Sequence, residues 1–121
     1  MKNKKILITG GAGYIGCHVV EELIKANYLV TVIDRLSFDA NSLNNLKDNK
    51  NLTIVKEDLR NLSNLESHLN GADAIIHLAA LVGEAACKIS ESDTISTNYD
   101  ATIKLCDLAK KNKVKNFIFM S

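Results

Sequence analysis

One stretch near the amino terminus decides the fold, Ile6-Leu7-Ile8-Thr9-Gly10-Gly11-Ala12-Gly13-Tyr14-Ile15-Gly16. Its apolar start breaks at once into glycines, as a buried parallel strand does when it enters a tight turn. The glycines at positions 11, 13 and 16 have the G-x-G-x-x-G spacing of a dinucleotide-binding turn. Glycine suits such a turn because the backbone must bend sharply, approach a pyrophosphate and let the next helix pack closely.

An acidic residue strengthens this interpretation. Asp34 stands at the end of the next apolar run, 18 residues after Gly16, and the dinucleotide fingerprint has an acid about 20 residues on. The helix after the turn also directs free N–H groups and its positive dipole end at the same place, which stabilises an anion. Glycines alone could mark a purely structural turn, but the full context favours a dinucleotide.

Composition excludes several classes of partner. With 121 residues, 46% of them hydrophobic and 24% charged, the chain fits one soluble globular domain. A net charge of +1 gives no reason to expect nucleic acid or a membrane surface as partner. A basic cluster near the end of the chain is explained as a solvated helix end; it consists of Lys110, Lys111, Lys113 and Lys115.

Cysteine usage indicates the compartment. Cys17, Cys87 and Cys106 form no C-x-x-C pair and are odd in number, which predicts free thiols in a reducing cytoplasm and makes a zinc site improbable. The basic start of the chain is followed by too few apolar residues for a signal sequence or a membrane span.

Apolar runs and helical patterns alternate along the chain. The predicted strands are residues 6–8, 29–33, 52–55, 74–80 and 116–120. This alternation predicts an α/β fold, a Rossmann-type doubly wound parallel sheet with strand order 3-2-1-4-5. The last run would then lie at an outer edge, so we expect a sixth parallel strand beside it in the complete protein. We expect the 121-residue chain alone to associate or fold weakly.

The helical patterns give four expectations. The first helix ends near Asn27, and its inner stripe contains Ile15, Val19, Val20, Leu23 and Ile24. Residues 36–51 form a loosely packed connection, in which only Leu43 and Leu46 suggest a short helix. A second helix contains Leu62, Leu65 and Leu69, is capped by Asn61 or Ser63 and is ended by Gly71. A long helix starts at the capping box Ser90-x-x-Asp93, with Ile95, Tyr99, Ile103 and Cys106 facing inward.

The chain resembles the extended short-chain dehydrogenase/reductases, specifically their NAD-dependent nucleotide-sugar epimerase/dehydratase branch, because six motifs occur in the order and spacing of that family. They are Thr9-Gly10-x-x-Gly13-x-x-Gly16, Asp34, Asp58-Leu59-Arg60, His77-Leu78-Ala79-Ala80, Asn98-x-x-x-Thr102 and Phe117-Ile118-Phe119-Met120-Ser121. The resemblance covers the whole chain. It implies hydride transfer between NAD and a UDP- or dTDP-sugar, within the isomerase, lyase and oxidoreductase classes, and a homodimeric full-length protein.

The same resemblance implies residue roles. Gly10, Gly13 and Gly16 would border the pyrophosphate, with Tyr14–Ile15 starting the helix over it, and Asp34 would accept bonds from the adenosine ribose hydroxyls.

Further along the chain, Asp58 and Leu59 would flank the adenine, and Leu78, Ala79 and Ala80 would line the inner ribose and nicotinamide side. Asn98 would hold the fourth strand in place from the long helix.

Some of these residues have alternative explanations. Arg35 could accept the 2′-phosphate of NADP, although Asp34 favours NAD. Asp58 could be only a loop carboxylate. His77 is better explained as a hydrogen-bonded strand-end histidine than as a catalyst, and His18 and His68 as surface or edge residues.

The chain also departs from the family pattern, in which a Ser or Thr and then Tyr-x-x-x-Lys follow the fifth strand. Its three tyrosines are followed four residues later by His18, Val32 and Ile103, and the catalytic hydroxyl would fall just beyond Ser121. Ala101 replaces the usual glycine of the long helix. We therefore expect residues 1–121 to be an incomplete amino-terminal NAD-binding domain without a substrate domain, inactive alone. The alternative is a stand-alone NAD-binding module or regulator.

Overall fold

The computed structural model describes residues 4–10, 14–34, 43, 45–46, 48–57, 66–78 and 101–119. Its elements are β1 (Lys5–Thr9), α1 (Tyr14–Lys25), β2 (Leu29–Asp34), β3 (Leu52–Lys56), α2 (Glu66–Leu69), β4 (Ala74–His77), α3 (Ala101–Lys111) and β5 (Asn116–Phe119). All five strands are parallel and form one sheet in the order β3-β2-β1-β4-β5. The predicted fold class and strand order are confirmed.

The strand register brings the carboxyl ends of the central strands to one edge. Thr9 of β1 lies opposite both Ile33 of β2 and His77 of β4, and Asp34 lies opposite Lys56 of β3. The connection after β1 leads to β2 on one side, and the later chain returns on the other side as β4. The order of the strands therefore reverses next to the end of β1.

Alternating side chains of the strands build a core on each face of the sheet. The face covered by α1 buries residues that include Ile8 and Val32, together with Val20 and Ile24 of the helix. The opposite face buries a second group, Leu7, Ile33, Leu69, Ile75, Leu105 and Ala109. Because β1 contributes to both faces, it is a central strand with two buried sides, as its continuous apolar sequence predicts.

Residues in left-handed conformations end three helical segments. Asn27, with φ 67°, follows α1, and Lys113, with φ 58°, follows α3. Gly71, with φ 81°, follows α2, which confirms the prediction that this glycine ends its helix. A Cβ at Gly71 would meet nothing within 4 Å, so only the backbone conformation favours glycine there.

The prediction of an inward-facing side chain is wrong at two positions. Ile15 is 57% exposed, because α1 turns Gly16, Val20 and Ile24 toward the sheet, and a glycine in the first turn lets the helix approach without a side chain. Ile103 is 46% exposed.

In α3, Leu105 and Ala109, one helical turn apart, are the buried pair. Ile103 therefore lies to one side of the buried stripe of α3, and residues 90–100 lie outside the described part of the chain.

Two further expectations need adjustment. β4 ends at His77, three residues before the predicted end, because Leu78 has left the strand and Ala79–Ala80 lie outside the described residues. The connection before β3 is anchored, since Leu43 is buried against the α1 face. Its described part turns through i to i+3 bonds from the Leu46 N–H to the Leu43 carbonyl and from the Asn49 N–H to the Leu46 carbonyl.

Other expectations cannot be compared with the structure. The start of the second helix at 61–65 and the capping box at 90–93 lie outside the described residues. Among the helices that the structure does describe, each is too short or too polar to cross a lipid bilayer.

Candidate functional site

Three of the predicted cofactor residues lie side by side at the carboxyl edge of the sheet. Gly10 follows β1, Asp34 ends β2, and Leu78 follows β4. The Gly10 N–H donates to the carbonyl of Ile33 at 2.8 Å, and the Leu78 N–H donates to the carbonyl of Thr9 at 2.9 Å. Three neighbouring strand ends are thus bonded to one another. Open α/β sheets bind ligands at such an edge, where the strand order reverses.

Backbone geometry explains the first glycine. Gly10 has φ 77°, a conformation that costs a residue with a side chain about 1 kcal/mol or more. The chain leaves β1 through this residue and has already entered α1 at Tyr14. Gly16 in the first turn of that helix is buried. The helix therefore starts at the carboxyl edge, where its unpaired N–H groups suit an anionic group.

Asp34 has an acidic neighbour that the sequence analysis missed. Its carbonyl accepts a bond from the Glu57 N–H at 3.0 Å, and Glu57 is the residue that follows β3. Two acidic residues therefore stand at the carboxyl ends of adjacent strands. The parallel register could have revealed this, because it sets Asp34 opposite Lys56.

A buried histidine joins the strand ends to α3. His77 is 2% exposed, and Thr9 is fully buried. The Nδ1 atom of His77 lies 2.6 Å from Thr9 Oγ1, and its Nε2 atom lies 2.8 Å from Thr102 Oγ1. Thr9 Oγ1 also accepts a bond from the Leu78 N–H at 3.1 Å. One imidazole thus links β1, β4 and α3.

Burial keeps this imidazole neutral. Desolvation disfavours the charged form and lowers the pKa of His77 from 6.5 to about 4. A neutral imidazole offers one donor and one acceptor, and a threonine hydroxyl can play either role, so both ring nitrogens are satisfied. The ring also packs against Phe117 of β5, with ring centroids 6.1 Å apart. These contacts agree with the prediction of a hydrogen-bonded strand-end histidine.

The roles of Thr9 and Thr102 were missed from the sequence. Both residues belong to motifs quoted above, but nothing in either motif singles out the hydroxyl. A signal was available in the register, because Thr9 and His77 are the last residues of adjacent parallel strands. Side chains at paired positions of adjacent strands project from the same face.

The remaining predicted site residues lie outside the described part of the chain; they are Gly13, Arg35, Asp58, Leu59, Ala79, Ala80 and Asn98. For Tyr14 the structure describes the backbone at the start of α1 but not the side chain. Ile15, in the same first turn, has its side chain exposed at this edge.

Metal chemistry has no support among the residues that the structure describes. They contain no group of three or more His, Cys, Asp or Glu residues placed to hold an ion. Within the same ranges neither Cys17 nor Cys106 forms a disulfide, and Cys87 lies outside them.

Comparison with known proteins matches this architecture. Residues 6–121 match the model of a family described as the NAD dependent epimerase/dehydratase family. A UDP-N-acetyl-alpha-D-glucosaminuronate decarboxylase of Bacillus cytotoxicus is 34% identical over 98% of the chain, and a UDP-glucose 4-epimerase of Bacillus subtilis is 36% identical over 96% of it. The chain spans 36% of the length of each of these relatives.

Solved structures give the same result. The UDP-N-acetylglucosamine 4-epimerase of Methanobrevibacter ruminantium M1 is 40% identical with a TM-score of 0.85, over 98% of this chain and 38% of that one. A UDP-glucuronic acid 4-epimerase from Bacillus cereus, in complex with UDP-glucuronic acid and NAD, is 30% identical with a TM-score of 0.88. That match covers 97% of this chain and 40% of the other.

Proposed function

This chain belongs to the NAD dependent epimerase/dehydratase family, and we propose that it is the NAD-binding part of an enzyme that acts on nucleotide sugars. The observation that supports this most directly is the convergence of Gly10, Asp34 and Leu78 on one edge of the sheet. This edge is the place where the strand order reverses, which is where doubly wound sheets bind dinucleotides.

The described residues fit an extended dinucleotide. Gly10 bends the chain in a left-handed conformation, and α1 begins four residues later, so backbone N–H groups face the place proposed for the pyrophosphate. Asp34 would accept hydrogen bonds from the adenosine ribose hydroxyls, and the chain at Leu78 would border the nicotinamide side. NAD bound there supplies the acceptor and donor of a hydride.

Asp34 further favours NAD over NADP. A 2′-phosphate would stand where the ribose hydroxyl meets the carboxylate of Asp34, and Glu57 follows the adjacent strand. Two like charges at partly buried range repel by about 1 to 4 kcal/mol. We therefore expect NAD to bind at least about fivefold more tightly than NADP, since 1.4 kcal/mol is a factor of ten.

Isothermal titration calorimetry with the two cofactors tests this first prediction. Replacing Asp34→Asn removes the charge but keeps the shape, so the preference for NAD should shrink or disappear. Asp107→Asn, an exposed position on α3, is the matched control and should keep the preference. Equal or tighter binding of NADP by the unaltered chain would contradict the assigned role of Asp34.

We propose a nucleotide sugar as the second ligand, because the relatives described above are a UDP-sugar decarboxylase and UDP-sugar epimerases. The full-length gene product, incubated with NAD and a panel of UDP- and dTDP-sugars, should convert at least one of them to an epimer or a dehydrated sugar. Chromatographic separation of the products identifies which reaction occurs. Binding of NAD without conversion of any sugar would favour the alternative of a regulatory NAD-binding module.

A further inference from the structure

We propose that His77 is a positioning residue of the proposed NAD site, whose imidazole holds the start of the glycine turn against the chain at Leu78. This inference rests on the proposed function, because it assigns to the hydrogen bonds of His77 a consequence for NAD affinity. His77 itself need not touch the cofactor. It would act through Thr9, which immediately precedes the first glycine of the turn.

The contacts between β1 and β4 converge on Thr9. The Leu78 N–H lies 2.9 Å from the Thr9 carbonyl oxygen and 3.1 Å from Thr9 Oγ1, so it is shared between two acceptors of one residue. Thr9 Oγ1 is in turn 2.6 Å from His77 Nδ1. The hydroxyl of Thr9 is therefore held by the residue that ends β4 and by the residue that follows it.

The second ring nitrogen fixes the imidazole from the other side. His77 Nε2 lies 2.8 Å from Thr102 Oγ1, in the first turn of α3. Phe117 packs against the ring. With both nitrogens bonded and the side chain 2% exposed, the imidazole has one orientation, and fully satisfied buried networks of this kind make a site rigid.

A small shift of Thr9 would reach the cofactor site directly. Gly10 is the next residue, and its N–H is bonded to the carbonyl of Ile33 beside Asp34. A binding site must be held close to its productive geometry by supporting groups whose own positions are locked. Loss of outer supporting partners costs about 10- to 100-fold in affinity at metal sites, and we expect a loss of the same order here.

Loss of the bond at Nδ1 and loss of the bond at Nε2 should affect NAD affinity differently. The Nδ1 side supports the glycine turn, whereas the Nε2 side anchors α3. An asparagine amide can occupy the place of Nδ1, and the longer glutamine amide can occupy that of Nε2. His77→Asn should therefore preserve NAD affinity better than His77→Gln, although both variants remove the ring.

The main experiment measures NAD affinity by calorimetry in variants that circular dichroism shows to be folded. Thr9→Val, which keeps the shape and removes the hydroxyl, should weaken binding about tenfold or more. Thr9→Ser, which keeps the hydroxyl, should stay within about twofold of the unaltered chain. Thr31→Val is the matched control, because Thr31 is also buried on the sheet but in the middle of β2, and it should likewise bind normally.

A second measurement needs no cofactor. Amide hydrogen exchange followed by NMR should show faster exchange at Leu78 in Thr9→Val than in Thr31→Val. Normal NAD binding by Thr9→Val, or unchanged protection of the Leu78 amide, overturns the positioning role and leaves the proposed function intact. Absence of NAD binding by the unaltered chain overturns both.

Discussion

The two faces of the sheet are built differently. Against α1 the buried cluster runs from Ile6 and Ile8 of β1 to Val30 and Val32 of β2 and is hydrophobic. On the opposite face, the same strands place Thr9 and Thr31 beside the apolar Leu7 and Ile33. His77 of β4 joins this second face, next to Ile75. The three buried polar residues among those described therefore share the face that α3 covers.

The position of these polar groups shows why the difference exists. Thr9 and His77 are the last residues of their strands, so two of the three lie at the carboxyl end of the α3 face, and Thr31 is the buried polar residue of its otherwise apolar middle. A buried polar group costs free energy unless it has a partner. Thr9 and His77 satisfy each other at the carboxyl edge, so the α3 face is hydrogen-bonded there, whereas the α1 face needs only apolar packing.

The largest effect should come from the apolar middle of the α3 face. Leu105 is fully buried, and Leu105→Ala should lower the free energy of unfolding by about 2 to 5 kcal/mol, because the lost contacts and the cavity both contribute. Urea unfolding followed by circular dichroism measures this. Ile103→Ala is the matched control two positions away. Since Ile103 is 46% exposed, it should cost below about 1 kcal/mol.

A cost for Ile103→Ala equal to that for Leu105→Ala would contradict the docking of α3. It would mean that the helix presents another side to the sheet.

The next effect depends on pH and comes from the polar end of the same face. The pKa of His77 is about 4 in the folded protein and 6.5 without burial. Between these values the unfolded chain binds a proton that the folded chain excludes, so stability falls as the pH decreases from above 6.5 to about 4 and His77 adds no further loss below. Integrated over this window, the contribution is up to about 3 kcal/mol.

Chemical unfolding of the unaltered chain and of His77→Asn at several pH values isolates this contribution from that of the carboxylates. The unaltered chain should lose more stability than the variant between pH 6.5 and 4. Parallel curves for the two proteins would show that His77 takes up its proton in the folded state at its ordinary pKa, so the α3 face would not be closed to water at its carboxyl end.

Some features of the two faces follow from the sequence, and others do not. Strands and their order follow from apolar runs and from glycine, as at Ile6–Ile8 and Gly10, because these signals are local. The exposure of Ile15 and Ile103 depends on how each helix is rotated against the sheet. A buried stripe that is shifted by one residue around the helix gives nearly the same apolar pattern in the sequence.

The candidate site likewise contains residues that the sequence predicts and contacts that it does not. Gly10 and Asp34 stand at strand ends that a linear motif marks, and the structure brings them to one edge. The bonds from His77 to Thr9 and Thr102 span 68 and 25 residues of sequence. They depend on strand register and on the placement of α3. No spacing rule within one segment can predict such contacts, although the parallel register of β1 and β4 places two of the three residues together.

The smallest effect should come from the solvent side of the α3 face. Lys111 of α3 lies 3.0 Å from Glu66 of α2, measured from Nζ to Oε1, and both side chains are well exposed. A double-mutant cycle with Lys111→Met and Glu66→Gln should give a coupling energy of about 0.2 to 1 kcal/mol that falls as salt is added. Lys110→Met, which changes another exposed lysine of the same turn, is the control for the loss of a positive charge.

A coupling of about 2 kcal/mol or more, insensitive to salt, would mean that a surface ion pair holds the two helices together. The α3 face would then differ from the α1 face by its charges as well as by its buried hydroxyls and imidazole.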